Sequence, residues 1–458
     1  MSKKNSIDRK SFLKAGATLG IGAPFLSRSL SAEDLSASKP SGKIKVGQSR
    51  DRRARIAVIG VGSQGGRLVQ GLTYQPDVDI PAICDIREER LAHGTKTVVD
   101  SGRPAPDTYT DYRELLKRDD IEGVAIATPW DLHTEMTLAT LKSGKYCAPE
   151  VRGAFSLQEC WDIVRTSEAT GMPVMLLENH NYYRSELAVL NMVRQGLFGE
   201  LIHGQCGYQH DVRYVKFRPG AEFGPDAEGP AKWRTNHSLN RNGDLYPTHG
   251  FGPLATIFNI NRGNRIVSLT STATKSRGLN SYIVQHGGED HPNAKIEWGL
   301  GDIVTTVLKC ANGETIVINH DTNLPRPYSN MGRVQGTKGL WMEDNNSIYL
   351  DGVSPNNRWE SFDAYREKYE HPLWKNFLAA GVRGGHGGAD YLKTRAFAQS
   401  VKRRLPTPID VYDTATMLAI TPLSEQSIAM GSAPVPFPDF TDGKWVTNKP
   451  SFGLDGDF

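Results

Sequence analysis

Short apolar runs alternate with amphipathic segments through the first third of the chain. The apolar runs are 55–59, 79–85 and 121–127, and the segments with helical spacing are 66–72, 133–143 and 157–170. Continuous apolar runs of this length are typical of strands that are buried on both faces of a parallel sheet. The alternation therefore predicts an α/β fold in which helices cover a parallel sheet.

The pattern changes after about residue 173, and a helical segment ends at 191–195. Four later segments alternate with the period of a half-buried strand: 202–209, 266–274, 303–309 and 314–319. Asn312-Gly313, between the last two, is a strong signal for a hairpin turn. Helical spacing returns near 390–403 and 412–430, and aromatic and polar residues gather in the predicted loops. These features predict a second, α+β domain with a mostly antiparallel sheet.

A basic stretch followed by a mildly apolar, glycine-rich run opens the chain. Arg9-Lys10 precedes Phe12-Leu13, the apolar run covers 15–26, and small residues follow around Ser31-Ala32. This order predicts a signal peptide over residues 1–32 that resembles the twin-arginine type, with Arg-Lys as its basic pair. The alternative is an amphipathic first helix, which the glycines and the proline of the run disfavour. The interpretation predicts a periplasmic or secreted protein that is exported already folded.

Length and composition limit the class of protein. The 458 residues, 38% hydrophobic and 23% charged, suffice for two soluble domains, which we place at 54–175 and 176–458 after a linker at 33–53. The first 32 residues carry six basic groups against Asp8, so the rest of the chain is nearly neutral despite the formal charge of +3. We therefore expect no nucleic-acid partner and no membrane span. The five cysteines are scattered, which argues against a disulfide framework or a metal cluster.

A glycine-rich loop lies between the first predicted strand and the first predicted helix, with the sequence Gly60-Val61-Gly62-Ser63-Gln64-Gly65. Such a loop makes a tight turn, lets the backbone approach a pyrophosphate and directs free N–H groups of the following helix at the phosphates. Asp85, at the end of the second strand, is placed to bind the ribose hydroxyls of NAD; alternatively, it caps the next helix. We therefore predict a Rossmann domain that binds NAD rather than NADP.

Several longer motifs resemble a known family. A Rossmann half, Thr128-Pro129, an antiparallel domain and Gln335-Gly336-Thr337-Lys338-Gly339 are similar to the Gfo/Idh/MocA oxidoreductase superfamily over about residues 54–430. A more specific resemblance is to glycoside hydrolase family 109, the NAD-dependent α-N-acetylgalactosaminidases. It rests on TPWDLH at 128–133, EN at 178–179, GYQHD at 207–211, KWRTNH at 232–237, NRNGDLYPTHG at 240–250, HDT at 320–322 and RPY at 326–328.

The resemblance implies hydrolysis of a terminal N-acetylgalactosaminide with NAD as a recycled cofactor. Hydride leaves C3 of the sugar for the nicotinamide, the C2 proton becomes acidic, the aglycone is eliminated, water adds at C1 and the hydride returns. One departure from the wider superfamily agrees with this chemistry. Sugar dehydrogenases typically have Glu-Lys-Pro after the fifth strand, whereas this chain has Glu150-Val151-Arg152, so the usual dehydrogenase lysine is missing. Arg152 also departs from the glycosidases, which have a smaller residue there.

The resemblance also implies roles for individual residues. At the reacting centre we expect Tyr246, His249, Tyr328, Tyr182 and Glu150, with Tyr328 as the C2 base and His249 beside the C3 hydroxyl. The sugar-binding positions are Tyr208, Arg234, Tyr246, Pro247, Thr248, His249 and Tyr328. The cofactor contacts are Gly60, Gly62, Ser63, Gln64, Gly65, Asp85, Trp130, Asp131, Leu132, His133, Glu150, Val151, Asn179 and Tyr246.

Structural interpretations compete with these roles. A buried tyrosine or histidine is more often a core residue than a catalyst, and Trp233 is either a sugar platform or part of the core. His210, His237 and His320 could suggest a metal, but their spacing favours structural or substrate contacts, and we predict no metal. The rival functions are an exported NAD-dependent sugar or inositol dehydrogenase and a non-catalytic glycan-binding protein. A homo-oligomer is also possible for this fold.

Overall fold

Two β-sheets and the helices packed on them make up the part of the chain that the computed structural model describes. That part comprises residues 52–218, 220, 222–224, 227, 229–454 and 456. The predicted signal peptide and all but the last two residues of the predicted linker lie outside it. Within the described residues, no helix is both long and apolar enough to cross a bilayer.

The first sheet has six strands, all parallel, in the order β4-β3-β1-β5-β6 with β2 beside β1. The strands are β1 (Ala54–Ile59), β2 (Val78–Asp79), β3 (Ala82–Cys84), β4 (Asp107–Tyr109), β5 (Gly123–Ile126) and β6 (Tyr146–Pro149). The helices between and after them are α1 (Ser63–Thr73), α2 (Glu88–Asp100), α3 (Tyr112–Leu116), α4 (Trp130–Lys142) and α5 (Leu157–Thr170). The predicted Rossmann architecture is confirmed.

The second sheet has nine strands in the order β14-β13-β12-β11-β7-β10-β9-β8-β15. They are β7 (Leu201–Gln209), β8 (Ile266–Ala273), β9 (Ile303–Cys310), β10 (Thr315–Asp321), β11 (Arg333–Gly336), β12 (Gly339–Met342), β13 (Ser347–Leu350), β14 (Glu360–Ser361) and β15 (Val435–Pro436). Of these neighbours, β7 and β10 run parallel and the other pairs antiparallel, as expected for a mostly antiparallel sheet. The predicted hairpin joins β9 to β10, with Gly313 at φ +108.

The helices of the second half are α6 (Arg184–Arg194), α7 (Arg213–Lys216), α8 (Gly229–Asn240), α9 (Thr248–Ile257), α10 (Gly278–Gly287), α11 (Phe362–Lys368), α12 (Pro372–Ala379), α13 (Ala389–Arg403) and α14 (Val411–Ala429). Two of them correct the prediction that polar and aromatic residues gather in loops, because KWRTNH lies on α8 and His249 lies on α9. The sequence of α8 is too polar to show an apolar face, and α9 carries Pro253 inside it, so neither has the expected helical pattern.

The last two long helices return to the first sheet. Helix α13 packs on α1 and β1, and its Phe397 and Val401 lie against Gly123 of β5. Helix α14 packs on α5 and also on β8 of the second sheet, with Thr421 against Gly153. The two predicted domains therefore share a layer of helices, and residues distant in sequence reach the ends of the parallel strands. The predicted division at residue 175 stays a prediction.

Candidate active site and cofactor cradle

The glycine loop connects β1 to α1 and fits a dinucleotide phosphate. Gly60 has φ +81, and a Cβ on Gly65 would lie 1.7 Å from the carbonyl oxygen of Gly60, so the turn tolerates only glycine at these two positions. A Cβ on Gly62 would meet no atom within 4 Å. No side chain caps the N-terminus of α1, whose first residues are Ser63 and Gln64. Open space and free backbone N–H groups at a helix N-terminus suit a pyrophosphate.

Asp85 follows β3 and lies at the same loop. One carboxylate oxygen accepts a hydrogen bond from the backbone N–H of Val61 at 2.8 Å, and the other accepts one from the backbone N–H of Arg87 at 3.1 Å. The N-cap of α2 is Arg87 rather than Asp85, so the capping alternative does not hold. The carboxylate is in the region expected for ribose recognition, which stays a prediction for this residue.

Glu150, at the end of β6, is buried and paired with a lysine from the C-terminal half. Its Oε1 accepts hydrogen bonds from Gln64 Nε2 at 3.0 Å and from Lys393 Nζ at 2.8 Å. Burial opposes the charge of Lys393, but Glu150 and Asp390 outweigh it and raise the lysine pKa. The end of β6 therefore carries an ammonium group that comes from α13, although the chain lacks the lysine that sugar dehydrogenases typically have directly after this glutamate.

Arg152 is buried, and its hydrogen bonds are made within the first domain rather than to the predicted sugar-binding residues. Its guanidinium donates to the Gly153 carbonyl at 3.0 Å and to Glu159 at 3.1 Å, and it also contacts the Thr134 hydroxyl. Thr134 belongs to α4 and Glu159 to α5, so the arginine ties two helices of the first domain together. This packing role accounts for a large, charged side chain at this buried position.

The remaining predicted cofactor residues have unequal environments. His133 Nε2 lies 2.8 Å from the Thr128 carbonyl, and burial lowers its pKa to about 3, so it is neutral and ties α4 to the preceding strand. Val151 and Asn179 are buried near the strand ends, whereas Asp131 and Leu132 are exposed at the start of α4. Trp130 lies 5.7 Å from the Tyr246 ring, which links the cofactor side to the second domain.

His249 and Glu178 form a hydrogen-bonded pair. Nδ1 of His249 lies 2.8 and 2.9 Å from the two carboxylate oxygens of Glu178, which is completely buried. Burial would raise the Glu178 pKa, but the His249 charge and hydrogen bonds, including one from the backbone N–H of His180, outweigh it and lower the pKa. Helix α9 reaches this position because Gly250 packs directly on the backbone of Gly207. The pair holds the histidine with Nε2 as the nitrogen left for a substrate.

Tyr328 follows β10 and is fixed by His180 and Asn330. Its hydroxyl lies 3.2 Å from His180 Nε2 and donates to Asn330 Oδ1 at 3.0 Å, while Asn330 Nδ2 lies 2.7 Å from His180 Nδ1. Burial holds the His180 pKa well below its usual range, so the ring is neutral. With Nδ1 accepting from the amide, the proton of His180 is on Nε2 and is donated to the phenol oxygen. Burial raises the pKa of Tyr328, and the His180 donor at its oxygen opposes part of that rise.

One side of the candidate site, next to His249, is formed by the rings of Tyr208 and Tyr246 with the Arg234 guanidinium beside them. We call these three residues the aromatic wall. The rings of Tyr208 and Tyr246 lie 4.4 Å apart, and that of Tyr246 lies 4.9 Å from His249. The Arg234 guanidinium lies 5.2 Å from the ring centroids of both Trp130 and Trp233 and 5.7 Å from that of Tyr246. Pro247 and Thr248 begin α9 between Tyr246 and His249. The structure thus brings together the predicted sugar-binding residues.

Tyr182 is completely buried with its ring against the core, and its predicted catalytic role stays a prediction. Its ring packs 5.1 Å from Phe452 in the core, and its carbonyl accepts from Trp374. Residues His180–Tyr182 form a 3₁₀ turn, in which residues three apart share one side. His180 and Tyr183 therefore face each other at 4.0 Å, and Tyr182 points elsewhere.

One carboxylate and two imidazoles of the site lie close enough together to be considered as metal ligands. Ligand atoms of Glu178, His180 and His249 all lie within 4.8 Å of one another. The Glu178 oxygens already accept from His249, and both nitrogens of His180 are engaged by Tyr328 and Asn330. A metal would have to displace these hydrogen bonds, so hydrogen bonding accounts for the cluster. The remaining histidines have other contacts: His210 with the Tyr208 hydroxyl at 3.0 Å, and His237 with Trp130.

Sequence reasoning missed Glu178, His180, Asn330 and Lys393 as functional residues. Glu178 was inside a matched motif, and its neighbour in the motif, Asn179, was assigned to the cofactor, so a signal existed for it. Asn330 lies two residues after the RPY motif. Lys393 had no local signal, because its partner is 243 residues away.

Comparisons with known proteins agree with this architecture. Residues 54–177 match the family described as Oxidoreductase family, NAD-binding Rossmann fold, and residues 182–447 match Glycosyl hydrolase 109, C-terminal domain. A glycosyl hydrolase family 109 protein from Stenotrophomonas maltophilia (strain K279a) is 49% identical, over 90% of this chain and 94% of its own. An α-N-acetylgalactosaminidase from Tannerella forsythia is 45% identical, over 97% and 99%.

Among solved structures, an NAD binding oxidoreductase from Klebsiella pneumoniae has the same fold, with a TM-score of 0.65 and 16% identity over 84% of this chain and 99% of its own. A parallel NAD-binding sheet joined to a mixed sheet that carries the tyrosine and histidine cluster defines an NAD-dependent enzyme on the oxidoreductase fold. The chain belongs to glycosyl hydrolase family 109. The predicted family and cofactor are confirmed.

Proposed function

We propose that this protein hydrolyses terminal α-N-acetylgalactosaminides in a redox-neutral cycle with NAD. The observation that carries the proposal is that His180 lies against both His249, which Glu178 holds, and Tyr328, which Asn330 also holds: its ring centroid is 4.2 Å from that of His249, and its Nε2 is 3.2 Å from the Tyr328 hydroxyl. These are two separate acid–base groups, each fixed by its own buried partner. Relatives that cover almost the whole chain are named α-N-acetylgalactosaminidases, which supports this substrate.

The glycine loop, Asp85 and Glu150 would hold the cofactor, because they surround the open N-terminus of α1. When bound, NAD supplies a hydride acceptor that is restored at the end of each turnover. His249 Nε2 takes the proton of the C3 hydroxyl as that carbon is oxidised, and the buried Glu178 carboxylate stabilises the imidazolium that forms.

Tyr328 acts at the neighbouring carbon. A ketone at C3 acidifies the C2 proton, which the deprotonated Tyr328 oxygen accepts while the bond from C1 to the aglycone breaks. The aglycone oxygen takes up a proton as it leaves, and the water that adds at C1 releases one, so these two protons balance. Tyr328 and His249 then return their protons to C2 and to the C3 oxygen as C3 is reduced again. Arg234 is placed to donate hydrogen bonds to sugar oxygens, and the aromatic wall provides rings for its carbon face.

Purified protein incubated with a chromogenic α-N-acetylgalactosaminide, with no added cofactor, is expected to release many equivalents of aglycone without accumulating NADH. The reason is that each turnover returns the hydride to the sugar. The measurement is aglycone release together with NADH absorbance. Stoichiometric NADH would instead favour a sugar or inositol dehydrogenase, and no turnover of any glycoside or polyol would favour a glycan-binding protein.

We also propose that the protein is exported folded, on the strength of the order of residues in the first 32 positions. A folded export route would let the enzyme carry NAD acquired in the cytoplasm. Residues 1–40 fused to a reporter are expected to direct its export, and replacing Arg9 and Lys10 is expected to stop it. Export that continues after both replacements would contradict the proposal.

A further inference from the structure

A polar cavity adjoins the aromatic wall but is not part of the reacting centre. It has a volume of about 270 Å³, part of it open to solvent. It shares Tyr208, Tyr246 and Arg234 with the candidate site, whereas His249 and Tyr328 are not among its lining residues. The cavity is therefore a side chamber beside the position that the mechanism gives to the sugar ring.

Lys216, at the end of α7, lines the cavity and is completely buried, and no carboxylate of the described residues forms an ion pair with it. Its Nζ donates to Thr322 Oγ1 at 2.9 Å and to Asn323 Oδ1 at 2.7 Å. An ammonium group has three N–H donors, so one remains after these two contacts. Burial, followed by the charge of Arg234, lowers the lysine pKa to about 7. A buried lysine without a salt bridge is costly, which points to a function beyond packing.

His320 on β10 lines the same cavity and is also buried. Its Nδ1 is buried and has no hydrogen-bond partner among the described residues. Burial lowers the His320 pKa to about 3, so the ring is neutral and carries one acceptor nitrogen as well as one donor. The polar part of the chamber therefore offers both a donor and an acceptor.

The rest of the lining is apolar, and it includes Val212, Leu245 and Leu300. The chamber therefore suits a small group with one acceptor, one donor and an apolar end. An anion is less well matched, because Asp302 and Asp321 are close enough to Lys216 to offset part of the positive charge.

We propose that this chamber binds the 2-acetamido group of the sugar and determines selectivity for N-acetylated substrates, an inference that rests on the proposed function. Lys216 Nζ or Arg234 donates to the acetamide oxygen, and the neutral His320 ring pairs with the acetamide N–H. The methyl group packs against the apolar lining. A sugar with a hydroxyl at C2 leaves these buried polar groups unpaired, and such sites discriminate strongly.

The test measures binding, so it does not depend on turnover. Calorimetry on the NAD-loaded protein compares N-acetylgalactosamine with galactose. The wild-type protein is expected to prefer N-acetylgalactosamine, and Lys216→Met and His320→Leu are each expected to lower the ratio of the two affinities by about 10-fold or more. An unchanged ratio, or proportional loss for both sugars, would overturn the proposal, as would a wild-type protein that does not prefer the acetamido sugar.

Lys145→Met is the matched control, since Lys145 is a buried lysine of the first domain outside both sites. It is expected to leave the ratio unchanged. Bound NAD and thermal unfolding report folding of each variant, and Thr322→Val, which keeps the lysine but removes one of its acceptors, serves if Lys216→Met does not fold. A protein that cleaves no glycoside but loses selectivity in these variants would contradict the proposed function and still support the chamber.

Discussion

Replacing His249 with alanine is expected to lower kcat for an α-N-acetylgalactosaminide by about 10³-fold, because a positioned acid–base group typically contributes 10²- to 10⁴-fold. The imidazole is the only part removed, and its partner Glu178 remains buried behind it. NAD is expected to stay bound, since the glycine loop and Glu150 are untouched. The measurement is the initial rate of aglycone release, together with the amount of NAD retained per protein after gel filtration.

Two further variants make this result specific. Tyr328→Phe keeps the ring but removes the hydroxyl held by His180 and Asn330, and it is expected to reduce turnover while NAD stays bound. His286→Ala is the control, because His286 lies on α10 and its Nδ1 contacts the Tyr282 carbonyl of the same helix. Full activity in both His249→Ala and Tyr328→Phe would contradict the assignment of the site.

Features that depend on neighbouring residues could be predicted from the sequence. The turn at Gly60 and Gly65 follows from local steric limits, and Asn312-Gly313 specifies a hairpin through its own backbone preferences. Buried parallel strands have a continuous apolar pattern, which is why the first sheet was recognisable. The helix α5 was predicted with the bounds the structure shows, Leu157–Thr170, because its apolar spacing and the Ser156 cap are both local.

Features created by tertiary packing could not be predicted in the same way. The pairing of Lys393 with Glu150 depends on α13 folding back onto the first sheet, and no pattern near either residue indicates it. Asn330 and His180 are 150 residues apart in the chain, and no pattern near either residue indicates that they meet. Which ring of the turn at His180–Tyr182 faces the cluster could not be predicted either, because a shift of one residue on a 3₁₀ turn changes the side that a ring faces.

The role of Glu178 follows from charge as well as geometry, and Glu178→Gln separates the two. Glutamine can still accept a hydrogen bond from His249 Nδ1, so the ring orientation is kept while the negative charge is lost. We expect kcat to fall about 10²-fold. The loss would be larger if the substituted partner held the catalytic histidine in the wrong tautomer. The rising limb of the pH–rate profile is expected to move to lower pH, because the amide no longer stabilises the imidazolium.

Stability gives a second, independent signature of the same charge. The Glu178 pKa is lowered in the folded protein, so its contribution to stability is present above its unfolded value, near 4.5, and is lost as the pH falls through the lower folded value. The difference in thermal stability between wild type and Glu178→Gln is therefore expected to shrink as the pH falls below about 4.5. In the rate measurement, Glu168→Gln, the same change at the half-exposed partner of Lys444, controls for the substitution itself. A pH–rate profile that moves equally in both variants, or in neither, would show that Glu178 does not act through the charge of His249.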